Sequence, residues 1–170
     1  AKYANLPRAY FDYHDMLKIN ETGYWPYTNP MPLLRGLREA LTMMHEEGLD
    51  NIYARHLFLA QAVQKASAAW GLNLCAKDSS LYSNTVTAIM VPEGIDSTDI
   101  VKTAYNKYNT SFGGGLNKVA GKLFRIGHLG DLNSTMILGA ISTAELAMYD
   151  VGIKFELGSG VAAAIKHLKV

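Results

Sequence analysis

Residues 111–131 read SFGGGLNKVAGKLFRIGHLGD. Three consecutive glycines, Gly113, Gly114 and Gly115, precede a fourth at Gly121 and an arginine set inside an apolar run. The segment from Lys122 to His128 alternates well enough to read as a strand. A period of two puts Leu123, Arg125 and Gly127 on one face and Phe124, Ile126 and His128 on the other. A permanent cation therefore sits mid-strand between a leucine and a glycine, and the glycine leaves space beside the guanidinium. Arginine is rarely buried without a partner. Space and fixed charge together suit a small anion, and a planar fork suits a carboxylate best. The residues alone leave two other readings open: a snorkelling edge arginine, or one half of a structural ion pair.

Around this segment the periodicity is that of a small α+β unit. Leu72–Cys75 reads as a short strand, and Thr85–Val91, β-branched and apolar, as a central one. Ser97 or Asp96 caps a helix whose inner face carries Ile100, Val101, Ala104, Tyr105 and Tyr108. A strand is expected at 110–113, before the glycine-rich loop. Asn133 caps a helix to about Tyr149, lined by Ile137, Ile141, Ala144 and Met148, and Gly158-Ser159 starts a last short helix. The order strand, strand, helix, strand, strand, helix suggests a short antiparallel-type sheet with helices on one face.

Upstream the pattern is helical. Residues 1–23 are rich in aromatics and hold one short helix near Asp12–Asn20, ended by Gly23. Tyr24-Trp25-Pro26-Tyr27-Thr28-Asn29-Pro30 is a rigid aromatic loop in which two prolines fix their own φ. Thr28 or Asn29 can cap the helix that follows, with Pro30 at its first position. Leu33, Leu34, Leu37, Leu41 and Met44 give residues 30–47 an amphipathic stripe. Gly48 ends that helix. Asp50 is the expected cap of the next one, about 51–70, with Ile52, Leu59, Val63, Ala66 and Trp70 as candidate core.

Composition excludes several classes. With 16 Lys plus Arg against 15 Asp plus Glu, a net charge of +1, the 170-residue chain has no electrostatic footprint for nucleic acid or an anionic membrane. No apolar run approaches the ~20 residues of a membrane helix. The single Cys75 cannot form an internal disulfide and fits a reducing compartment, the cytoplasm. The chain starts at Ala1 rather than Met and so reads as processed or cut from something longer. Gly115–Lys122 fails the P-loop pattern at Leu116 and Leu123. The five histidines form no metal-ligand spacing, so no metal site is expected. His128 reads as a satisfied structural histidine, and Lys2, Lys118 and Lys122 as surface lysines.

GGGLNKVAGKLFRIGHLGD resembles the C-terminal segment of the class V pyridoxal-phosphate aminotransferases, most closely those of the serine–glyoxylate type, with the alanine–glyoxylate enzymes as near relatives. The likeness runs from LPRAYFDYHDML through GYWPYT and GLDNIYARH to RIGHLGD. It implies the C-terminal part of a fold-type I transferase: residues 1–47 as the end of the large, dimer-forming domain and 48–170 as the small domain. It implies that Arg125 binds the α-carboxylate of the amino-acid or 2-oxo-acid substrate. It also implies that Thr28 and a tyrosine reach the cofactor phosphate of the other subunit of a homodimer. Strict spacing puts that tyrosine at Trp25, which lacks a hydroxyl; Tyr27 is preferred over Tyr24. The family's cofactor-binding lysine lies in a Gly-Ser-x-Lys segment absent from these residues, so no catalytic residue is expected here. The fragment alone should not transaminate. The alternative is a stand-alone amino-acid-binding or regulatory module without catalysis.

Overall fold

The structure is a computed structural model describing residues 3, 5–8 and 10–169; Lys2 lies outside them. The chain divides into two compact units, residues 1–47 and 48–170.

The first unit holds two helices, α1 (Tyr13–Asn20) and α2 (Met31–Glu47). Asp12 caps α1 by accepting the His14 amide at 3.0 Å. Neither helix has a buried residue. The stripe on α2 is formed, but Leu33, Leu37, Leu41 and Met44 remain exposed. A three-turn apolar stripe left in water is unfavourable, and this one is a surface for packing rather than a core.

The second unit begins at Gly48, whose φ of +83° separates α2 from α3 (Leu49–Ala69). Asp50 does not cap α3: the helix already starts at Leu49, and Asp50 stands in its first turn, where its charge still complements the helix dipole. Ile52, Leu59, Val63, Ala66 and Trp70 are buried as their spacing requires. The remaining elements are β1 (Val86–Met90), α4 (Ser97–Tyr108), β2 (Gly113–Gly114), β3 (Leu123–Gly127), α5 (Ser134–Asp150) and α6 (Ser159–Leu168). Asp96 caps α4 and Asn133 caps α5.

The three strands form one antiparallel sheet in the order β1-β3-β2. Three expectations are corrected. The central strand is β3, not residues 85–91: β1 pairs with only β3 along its length, because Leu72–Cys75 contributes a single bridge, Leu74 to Ile89, instead of a strand. The strand expected at 110–113 shrinks to Gly113–Gly114, because the chain leaves α4 through Asn109 in the left-handed conformation (φ +50°) and reaches β3 only at Gly113. Tyr105, placed on the inner face of α4, is exposed, while Ile100 and Ala104 beside it are fully buried.

The two faces of the sheet differ as period two demands. Ile89, Phe124 and Ile126 are essentially inaccessible and join the core built with Leu59 and Val63 of α3, Ile100 and Ala104 of α4, and Ile137 and Ile141 of α5. On the opposite face Leu123 is buried at the start of β3, but Val86, Ala88, Met90 and Arg125 are only half-buried and Gly127 is exposed. Helices cover one side, and Arg125 stands on the other. No described helix is long and apolar enough to cross a membrane.

Candidate functional site

Arg125 occupies the middle of the central strand, opposite Ala88 of β1 and Gly113 of β2. Small residues flank it on both sides, so the long side chain can lie across the sheet. A Cβ placed at Gly113 would stand 3.0 Å from Nε, 3.2 Å from Nη2 and 3.3 Å from Cβ of Arg125. The side chain thus runs flat over the bare Cα of its cross-strand partner. Arg125 Nε donates to the Gly114 carbonyl at 3.0 Å. Among the described residues no other hydrogen bond and no ion pair engages the guanidinium. Of its five N–H groups, the four on Nη1 and Nη2 remain available. Two residues along the same face, a Cβ at Gly127 would meet nothing within 4 Å. A half-buried cation with an open neighbour has the chemistry to accept a carboxylate; among the described residues no acidic side chain pairs with it.

The hairpin that carries Arg125 is tied down at its turn. Gly115 admits no side chain, since a Cβ there would collide with the Val119 carbonyl. Gly121 has φ +71°, and its carbonyl accepts the Ser97 amide at 2.9 Å, fixing the turn to the start of α4. Asp96, the cap of α4, lies against Gly121 as well. Accepting the Thr98 amide and hydroxyl holds its carboxyl below the usual range.

The other end of β3 is tied to α3. Arg55 Nη1 donates to the carbonyls of Gly130 (2.8 Å) and Leu132 (3.2 Å). The Gly130 amide donates to His56 Nε2 at 3.1 Å. His56 Nδ1 then carries the proton and donates to the Ile52 carbonyl at 2.8 Å. His128 is fully buried, with Nδ1 facing the Asn84 carbonyl at 3.0 Å and Nε2 facing Thr87 Oγ1 at 2.8 Å. The carbonyl can only accept, so Nδ1 is the protonated nitrogen and Nε2 accepts from Thr87. Burial pushes the His128 pKa down, and the nearby charge of a protonated His56 would push it the same way. His128 is thus a neutral structural histidine.

Thr28 and Tyr27 belong to the first unit. Thr28 is exposed on the approach to α2, and Tyr27 is half-buried with its ring 4.1 Å from that of Tyr10. Neither hydroxyl has a hydrogen-bond partner among the described residues. Trp25, at the position where the family spacing asks for a tyrosine, is exposed.

Reading the sequence did not find Arg55 and His56, because their partners lie more than 70 residues away. It also missed Glu145, buried inside the apolar face of α5, where its two oxygens accept from Trp70 Nε1 and the amides of Gly158, Gly160 and Val161. A charge amid Ile141, Ala144 and Met148 was the available signal.

No family model matches the chain. It is 56% identical over 164 residues to a serine–glyoxylate aminotransferase of Methylorubrum extorquens, covering 96% of this chain and 41% of that protein. It is 51% identical to the Arabidopsis thaliana protein of the same name over 95% of this chain, and 49% identical to an L-aspartate–glyoxylate aminotransferase of Paracoccus denitrificans over 98%. The chain therefore spans about two fifths of the length of these relatives, 41% to 42%. Among solved structures it resembles pyridoxamine–pyruvate aminotransferase from Mesorhizobium loti, with 31% identity, a TM-score of 0.81, and coverage of 86% of this chain and 38% of that one. The fold is also that of ureidoglycine–glyoxylate aminotransferase from Bacillus subtilis, with a TM-score of 0.84 over 95% of this chain and 42% of that one.

Proposed function

Because this chain belongs to the class V aminotransferases and corresponds to their C-terminal part, we propose that it is the small domain, with the end of the large domain, of a pyridoxal-phosphate transaminase that moves the amino group of serine to glyoxylate. The names of its relatives support that substrate pair, and their length supports a larger parent. On this reading residues 1–47 complete the large domain, whose remainder covers the apolar stripe of α2. The cytoplasm is the proposed compartment, as the unpaired Cys75 suggests.

The observation that carries the proposal is the state of Arg125: held on a central strand, bonded once through Nε, and without a further partner among the described residues. In the reaction it takes the α-carboxylate of the amino donor in a bidentate pair and so fixes the orientation of the Cα–H bond to be broken. The same guanidinium then takes the carboxylate of the incoming 2-oxo acid. The cofactor, when bound, supplies the electron sink and the site of transient amino-group storage. Thr28 and Tyr27 would hold its phosphate across a homodimer interface, their free hydroxyls donating to phosphate oxygens. On this reading the lysine that handles the proton is supplied by a part of the enzyme other than these residues.

Replacing Arg125 with lysine in the full-length enzyme tests the reading. An ammonium keeps the charge but loses the fork, and a charge-assisted contact contributes roughly 1.5–3 kcal/mol. The kcat/KM for serine and for glyoxylate should each fall about tenfold or more. Kinetics within about twofold of the parent would remove Arg125 from the site.

A further inference from the structure

We propose that Gly113 and the Gly114 carbonyl are positioning elements that set the Arg125 guanidinium end-on, so that substrate carboxylates are met by Nη1 and Nη2 and not by the Nε edge. The inference rests on the assignment of Arg125 as the carboxylate receptor. An arginine can pair side-on through Nε and Nη2 or end-on through its two terminal nitrogens. Here the side-on edge is already used, because Nε donates to Gly114 O at 3.0 Å. That same edge lies against Gly113, where a Cβ would sit 3.0 Å from Nε and 3.2 Å from Nη2. Such separations are tighter than ordinary contact, so a side chain at 113 forces the guanidinium to give way by a few tenths of an ångström and strains its bond to the Gly114 carbonyl. Gly114 behaves differently: a Cβ there would meet nothing within 4 Å. Neither residue has a positive φ, so alanine is conformationally acceptable at both. The two adjacent glycines of one short strand therefore have different roles. Gly113 clears the path of the arginine, and Gly114 contributes its backbone oxygen alone.

Alanine substitutions in the full-length, cofactor-loaded enzyme separate them. Gly113→Ala should raise KM for serine and for glyoxylate by a similar factor of about tenfold, because one guanidinium serves both carboxylates, while kcat stays within about threefold. Gly114→Ala keeps the backbone oxygen and places its Cβ in open space, so it should raise KM for both substrates several-fold less than Gly113→Ala does. The thermal midpoint gives a readout independent of turnover. Gly113→Ala should lower it in the parent and leave it unchanged in an Arg125→Ala background, since the clash is with that side chain. This cycle remains decisive even where Gly113→Ala is poorly folded. Equal effects of the two glycine substitutions, or a Gly113→Ala penalty that persists without Arg125, would overturn the proposal. Arg125→Ala keeps the two readings apart. If it leaves KM for both substrates unchanged, the carboxylate assignment itself fails. If it raises KM while Gly113→Ala does not, only the end-on geometry fails.

Discussion

Glu145 offers the sharpest test of how the second unit is held together. The residue is 3% exposed, yet its carboxyl group accepts four N–H groups: Trp70 Nε1 at 2.8 Å, and the amides of Gly158, Gly160 and Val161 at 2.7, 2.7 and 3.2 Å. Three of those donors open α6, where the first amides have no partner within the helix. The fourth is the indole at the end of α3. One side chain thus joins α3, α5 and the start of α6. Gly160 makes the arrangement possible, since a Cβ there would collide with the Trp70 indole. Glu145→Ala removes all four bonds. At a net ~1 kcal/mol for each, the loss is about 4 kcal/mol, before any cavity contribution. For a chain of this size each kcal/mol moves the thermal midpoint by about 2–4 °C, so a fall of about 8–16 °C is expected. Glu145→Gln keeps one carbonyl oxygen but turns an N–H toward another N–H donor. Its expected cost is smaller, about 1–2 kcal/mol. Circular dichroism melts of the parent and both variants measure the shifts. An alanine variant that melts within about 3 °C of the parent would show that the four contacts do not organise this corner.

Two further outcomes follow from the ties at the end of β3. His128 is buried in its neutral form with a pKa below the ordinary 6.5, chiefly through desolvation. The unfolded chain takes up a proton before the folded one does, so this contribution is complete above pH 6.5 and is lost as the pH falls from there through the lowered folded value. Melts across that range should show a slope toward instability of at most about 1.4 kcal/mol per pH unit from this group. The slope should be reduced in His128→Gln, and an undiminished one would point to other histidines. Arg55→Ala removes the donors to Gly130 and Leu132, and should raise amide hydrogen exchange at Gly130 about tenfold with a stability loss of roughly 1–2 kcal/mol. Unchanged exchange at Gly130 would mean that the His56 contact alone secures the loop.

What the sequence disclosed about Arg125, and what it withheld, divides along one physical line. Strand periodicity is a local property, so Leu123, Phe124, Arg125 and Ile126 could be sorted to their faces without a structure. The cap Asn133, and the choice of Ser97 or Asp96 that the structure resolves to Asp96, were legible for the same reason, since each cap bonds an amide two or three residues away. Which strand is central depends on what pairs with it, and the apolar run at 86–90 looks central until its outer neighbour reduces to one bridge. The arginine's own hydrogen bond was hidden because it depends on the register that sets Gly113 opposite Arg125. Glu145 draws its donors from positions 13 to 16 residues later and 75 residues earlier. No local pattern encodes such a convergence.

The central position of β3 also explains why it is suited to carry the carboxylate receptor proposed for Arg125. An edge strand can shift, because one row of its backbone groups answers only to water. β3 is bonded on both sides, anchored through Phe124 and Ile126 in the core, and fixed at its two ends by the Gly121–Ser97 and Gly130–His56 bonds. Its arginine is then oriented by a backbone oxygen, an acceptor with no side-chain freedom of its own. Most of the conformational entropy of a long flexible side chain is therefore lost during folding and not at the moment of binding. A small substrate has few contacts from which to draw orientation, and a guanidinium already stationary before it arrives contributes more of its interaction to holding the reacting bond in place.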